Sequence, residues 1–271
     1  MNDMTTAEIP VLLRTSHDGG VAMLALNRPA RRNSLSLALL RALSDALAAI
    51  AQDASVRAVV LTGGGPAFCA GHDLAELALH RADGDGGQGF FTEAMATCAQ
   101  VMQAVVTLPQ PVVAAVHGVA TAAGCQLAAS CDLVVAGATA RFCTPGVDIG
   151  LFCATPAVAL SRAVPRKAAM EMLLLGEMIS AQEAHRIGLV NRVVDQGSER
   201  DAALELAQRI ARRSALTVRL GKAAFHRQLG QDLKSAYDDA ARVMVENLLA
   251  HDAAEGIDAF LGKRAPVWQD R

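Results

Sequence analysis

Apolar and polar positions alternate between two regimes along the chain. Residues 21–27, "VAMLALN", are a short apolar run that stops at "RPARRN", a turn-like cluster containing Pro29. Beyond it, Leu35, Leu39, Leu40, Leu43, Leu47 and Ile50 recur at helical spacing, which predicts an amphipathic helix capped by Ser34 or Ser36. "VRAVVLTGGG", "PVVAAVHG" and "CDLVVAG" are buried-strand patterns, the first running into glycine. Strands alternating with helices predict an α/β body with a substantial parallel component. The segment 80–89, "HRADGDGGQG", reads as a flexible loop ahead of a helix starting near residue 91.

The regime changes near residue 199. From there the chain carries helical periodicity and no strand pattern, which divides it into an α/β core over 1–198 and a helical region over 199–271. A helical tail on an α/β body is expected to serve packing or oligomerisation. Neither an internal repeat nor a low-complexity tract is present.

Composition narrows the picture. Over 271 residues, 52% are apolar and only 3% aromatic, so the core must be built from Ala, Val, Leu and Ile. A net charge of −2 argues against nucleic acid or an anionic membrane as the main partner. Six cysteines include no C-x-x-C pair and no histidine at zinc-finger spacing, so no metal site is expected. No run of 18 apolar residues occurs, and the N-terminus lacks a basic segment followed by an apolar one. The first ten residues hold two acids and no arginine. The expectation is a reduced, soluble, cytoplasmic protein.

Candidate chemistry lies in two loops of one design: apolar strand, small-residue turn, helix start. They are "LTGGGPAFCAGHDL", 61–74, and "AAVHGVATAAGCQL", 114–127. Free N–H groups and a helix dipole suit such points to an anion or a developing oxyanion. Neither loop matches G-x-x-x-x-G-K-[ST] or G-x-G-x-x-G, so nucleotide readings lack support. Either loop alone could equally be a tight strand-to-helix turn.

Taken together, "NRPARRNSLS", "AFCAGHDL", "GVATAAGCQLAASCDLVVA" and "AEGIDAFLGKR" resemble, in order, the crotonase (enoyl-CoA hydratase/isomerase) family, and the likeness spans roughly residues 11 to 268. Within that family, "ATAAGCQLAASCD" and "AVPRKAAMEMLLLGE" look most like one particular branch. The resemblance implies a crotonase-like spiral of ββα turns with a helical C-terminal trimerisation region, assembled as a homotrimer or dimer of trimers. It implies an acyl-CoA thioester as ligand, with coenzyme A part of the substrate and no separate bound cofactor. The thioester oxygen would sit between the backbone N–H groups of His72 and Ala123. Two preorganised donors there would stabilise an enolate as it forms.

Two residues depart from the family pattern. Hydratases of the family use one glutamate as base on the water and another as proton donor. Those positions are Gln126, whose amide orients but does not activate water, and Gly146, which has no side chain. The nearest carboxylate is Asp148, either a substitute acid or a cap or salt-bridge partner. His72 could act through its imidazole or serve as a wall residue. Asp73 is expected to hold its loop by local hydrogen bonds, and the cysteines near the loops to be small buried hydrophobes.

For the CoA phosphates the likeness implicates Arg28, Arg31 and Arg32, with Phe260 and Lys263 reaching a neighbouring subunit's ligand. Ala75 stands where the family often carries lysine. Three readings stay open: an acyl-CoA enzyme using the oxyanion hole, a non-catalytic acyl-CoA binder, and a hydratase with unorthodox acid/base groups.

Overall fold

The computed structural model describes residues 9–271. Among these residues nine strands are formed: β1 (Leu12–His17), β2 (Val21–Leu26), β3 (Ala58–Gly63), β4 (Val112–Val116), β5 (Val119–Thr121), β6 (Leu133–Gly137), β7 (Arg141–Cys143), β8 (Ile179–Ser180) and β9 (Arg192–Val194). They make a six-stranded sheet in the order β1-β2-β3-β4-β6-β9 and a three-stranded sheet in the order β5-β7-β8. The large sheet is parallel from β2 to β9, with β1 its antiparallel edge. The apolar runs expected to be strands are β2, β3, β4 and β6, each buried on both faces as a parallel sheet requires.

The helices between these strands are α1 (Leu37–Ala51), α2 (Leu74–His80), α3 (Gln88–Thr107), α4 (Ala123–Ser130), α5 (Ala154–Ala163), α6 (Arg166–Leu175) and α7 (Ala181–Arg186). On α1 the predicted stripe is the buried face, and Ser36 is the cap, its side chain accepting from Leu39 N–H. Between α2 and α3 the expected flexible loop is a compact turn. Asp85 accepts from the N–H groups of Gly87 and Gly89 at 2.9 and 2.7 Å, and the His80 ring stacks on Phe90 with centroids 3.7 Å apart.

The helical stretch after residue 199 is α8 (Glu199–Ala211), α9 (Ala215–Gln228), α10 (Leu233–Leu248) and α11 (His251–Leu261). Packing divides it. Ala203, Ala207 and Ala211 of α8 lie on Val60, Val113 and Val135 and close one face of the large sheet. On α9 and α10 no residue is fully buried, and Leu233, Tyr237, Met244 and Leu248 stand exposed along α10. Among the described residues nothing covers this row.

Candidate active site

The two loops meet. Cys69 N–H donates to Val119 O at 3.1 Å and Thr121 N–H to Cys69 O at 3.0 Å, a parallel bridge that binds one loop to the other. Gly71, at φ +85°, lies so close to the second loop that a Cβ there would stand 3.0 Å from the Ala122 Cβ and 3.4 Å from Ala123 N. Ala122 precedes α4 at φ 49° and ψ −118°, an uncommon conformation for a non-glycine residue. Its own N–H donates to Cys143 O at 2.9 Å, which leaves Ala123 as the first helical residue. Among the described residues neither His72 N–H nor Ala123 N–H has a hydrogen-bond partner.

The first loop is braced from behind. Asp73 caps α2 by accepting from the N–H groups of Ala75 and Glu76, and it receives Arg28 at 2.8 Å and the Ser34 hydroxyl at 3.2 Å. Burial alone would raise the Asp73 carboxyl. The hydrogen bonds from Arg28, Glu76 N–H and Ser34 outweigh it and hold the group below the ordinary carboxylate range.

Arg28 also donates to Ser34 O at 2.6 Å, so it is a clamp of the fold and not a free cation for a phosphate. Arg31 and Arg32 are exposed and unpaired among the described residues. Phe260 (82% exposed) and Lys263 stand on the surface at the end of α11. Ala75 is exposed at the start of α2.

Gln126 lies one turn along α4 from Ala123 and is 4% exposed. Its Oε1 is buried without a hydrogen-bond partner, and so is His72 Nε2. Burial pushes the His72 imidazole below its usual range, so it stays neutral.

Gly146 is buried in a short 3-10 turn, Pro145–Ile149. A Cβ on Gly146 would meet Leu151 O at 2.4 Å and the Cys153 thiol at 2.8 Å. The space a second acid would need is thus filled by the following turn. Asp148 is exposed and makes no hydrogen bond or ion pair among the described residues, and its Oδ1 lies beside Gly176, at the end of α6. It is neither the cap nor the salt-bridge partner considered from sequence.

All six cysteines are free. Burial pushes the Cys69 and Cys98 thiols up to about 12 and Cys143 to about 11, so none is poised as a nucleophile.

One arrangement was not foreseen. Lys222 on α9 donates to Val105 O (3.3 Å), Gln110 O (3.2 Å) and Asp132 Oδ2 (2.7 Å), pinning α9 to the core. The only signal in the sequence was an isolated aspartate closing "GCQLAASCD". Its partner lies 90 positions away.

A parallel spiral with two abutting small-residue loops is the architecture the sequence motifs called for, and comparison with known proteins agrees. The sequence profile of the Enoyl-CoA hydratase/isomerase family matches residues 16–271, and the chain belongs to that family. Within it, the chain is similar to enoyl-CoA hydratase domain-containing protein 3, mitochondrial, of Rattus norvegicus. The two are 48% identical over 259 residues, 96% of this chain and 85% of the relative. The crystal structure of the human protein of that name superposes with a TM-score of 0.89 at 44% identity, covering 95% of this chain and all of that one. An enoyl-CoA hydratase structure from Mycobacterium smegmatis gives 0.91 at 49% identity, covering 96% and 99%.

These relatives overturn one expectation. The rat, mouse and human proteins are named mitochondrial, against the cytoplasmic reading. That reading rested on the charges of the first ten residues, and a folded body does not encode its compartment. No helix among the described residues is long and apolar enough to cross a membrane.

Proposed function

We propose that the protein binds acyl-CoA thioesters and stabilises a thioester oxyanion or enolate between the backbone N–H groups of His72 and Ala123. The observation that carries this reading is the pair of unpartnered N–H groups on two loops held together by the Cys69 bridge. Donors fixed before charge develops cost no reorganisation, and removing one such donor typically costs about 3–4 kcal/mol of barrier.

Ordinary hydration is disfavoured. Gln126 has no proton to exchange near neutral pH, and the Gly146 position has no room for a second acid. Asp148 faces Gly176 and solvent, while His72 remains a neutral wall group with an unpartnered nitrogen. Reactions passing through a thioester oxyanion without the glutamate pair, such as isomerisation, decarboxylation or thioester hydrolysis, fit this site better. The closed space at Gly146 also favours a second reading, a non-catalytic acyl-CoA binder on the same scaffold.

Arg31 and Arg32 supply free cations for the CoA phosphates. Phe260 and Lys263 would serve a neighbouring subunit's ligand in a homotrimer or dimer of trimers, assembled through the exposed apolar row of α10.

Ala123→Pro tests the core of the reading. Proline is accepted at a first helical position and deletes the N–H, while its ring also constrains Ala122 before it, so the fold of the variant is checked by its melting temperature. Loss of acyl-CoA affinity or turnover by about 100-fold in a folded variant supports the hole. Unchanged affinity and turnover would sink it. Crotonyl-CoA hydration by the wild type, followed through the enoyl-thioester absorbance, would restore the hydratase reading.

A further inference from the structure

Lys263 closes α11 in a conformation that lysine rarely adopts. Its φ is +52°, in the left-handed region. Lys263 N–H donates to Phe260 O at 3.2 Å and Arg264 N–H to Ala259 O at 3.0 Å, the two bonds of a Schellman turn. Glycine is the usual residue there, because a Cβ makes the left-handed conformation costly. The lysine is exposed, and its ammonium makes no ion pair among the described residues.

Little within α11 itself fixes this turn, since only Asp252 and Ala259 of its eleven residues are buried. The segment 264–271 instead doubles back along the helix and binds it. Glu255 accepts from Arg264 at 2.6 and 2.8 Å and from Val267 N–H at 2.7 Å, and these bonds lower its carboxyl to about 2. The Trp268 ring lies over Gly256, where a Cβ would stand 3.2 Å from it, and its indole N–H donates to Arg212 O at 2.9 Å. Buried Asp252 accepts from the N–H groups of Gln269 and Asp270 at 2.8 and 2.9 Å. Asp270 in turn receives Arg57 at 2.6 Å, just ahead of β3, and Ala215 N–H at 2.7 Å, at the start of α9. The strap therefore ties the Lys263 turn to the large sheet and to the corner between α8 and α9.

We infer that this strap, through Glu255, Arg264 and Trp268, positions Lys263 for a CoA phosphate, so that the nucleotide half of the ligand is recognised with the help of residues that do not touch it. The inference rests on the acyl-CoA reading above and on the part given there to Lys263. An ammonium on a flexible four-carbon stem meets a phosphate at less entropic cost when its backbone is fixed beforehand. Here the backbone is fixed in a strained state, which persists only while the bonds around it hold. Glu255, Arg264 and Trp268 are thus positioning residues, and Lys263 is the group that would meet the ligand.

Calorimetric titration of the full chain with butyryl-CoA and with butyryl-pantetheine, which lacks the nucleotide, tests this. Lys263→Ala should weaken butyryl-CoA about tenfold, the worth of one charge-assisted hydrogen bond, and leave butyryl-pantetheine unchanged. Glu255→Ala should do the same. Removing a negative charge would by itself tighten binding of a polyanion, so weakening reports position and not charge. Combining the two substitutions should bring no further loss, because both remove one contact. Trp268 is the sole tryptophan, and its emission should move to the red in Glu255→Ala as the indole leaves Arg212 O. Should that variant not fold, Trp268→Phe keeps a ring over Gly256, removes the indole donor, and should weaken butyryl-CoA alone. Weakening by Lys263→Ala but not by the strap variants would overturn the inference and leave the acyl-CoA reading standing. No effect of Lys263→Ala would remove Lys263 from the ligand and the inference with it. Failure of both thioesters to bind the wild type would overturn the acyl-CoA reading itself.

Discussion

Arg28 and Asp73, 45 positions apart, are joined at 2.8 Å with side chains only 19% and 10% exposed. The pair ties the turn after β2 to the loop that presents His72 N–H. Replacing Arg28 by Ala leaves a largely buried carboxylate without its cation. The expected loss is about 2–3 kcal/mol of unfolding free energy, measured by urea denaturation. Acyl-CoA affinity should fall too, because the His72 loop loses its brace. Stability lost with affinity intact would mean the loop holds its shape without the clamp.

The same pair sets a pH dependence. The folded-state pKa of Asp73 lies below its unfolded value of about 3.9, so its contribution is complete above that value. It disappears as pH falls through the lower folded pKa. Asp73→Asn should therefore cost stability at neutral pH, and the gap to wild type should narrow below about pH 4. A gap that stays constant on acidification would show that the carboxylate charge is not what matters.

The body of the fold was legible because its information is local. β2, β3, β4 and β6 are continuous apolar runs and α1 a regular stripe, each decided within a short window. The short strands β5, β7 and β8 have two or three residues apiece and depend on pairing with residues distant in sequence. The candidate site divides in the same way. Glycine-rich turns ahead of helices announce possible free N–H groups, and the two loops could be named from their residues. The closed space at Gly146 could not, because it depends on where the backbone of Leu151 and the Cys153 thiol come to rest. Nor could Arg28, whose inward turn towards Asp73 removes it from the basic cluster its neighbours suggest.

Restoring the two glutamates separately should give unequal results. Gln126→Glu is nearly isosteric and should fold, its carboxyl raised by burial. Gly146→Glu drives a Cβ into Leu151 O and the Cys153 thiol and should cost at least about 3 kcal/mol. The double variant should gain no crotonyl-CoA hydration, and its melting temperature should fall with that of Gly146→Glu. A stable double variant that hydrates crotonyl-CoA would show that the turn over Gly146 yields easily.

Thiol chemistry supplies an independent check on the site's interior. Cys69, Cys125 and Cys143 line the meeting point of the loops, fully buried, and burial raises all three thiols above the usual range. Thiolate is the form that alkylates, and access requires the loops to open. At pH 8 iodoacetamide should label these three far more slowly in the folded protein than in denaturant, with mass spectrometry assigning the sites. A saturating acyl-CoA should slow labelling of Cys125 further, since that residue sits in the first turn of α4 beside Ala123. Rapid native labelling at Cys69 or Cys125 would mean that the Cys69 bridge between the loops opens readily. The two N–H groups would then not be fixed in advance of the charge they are proposed to meet.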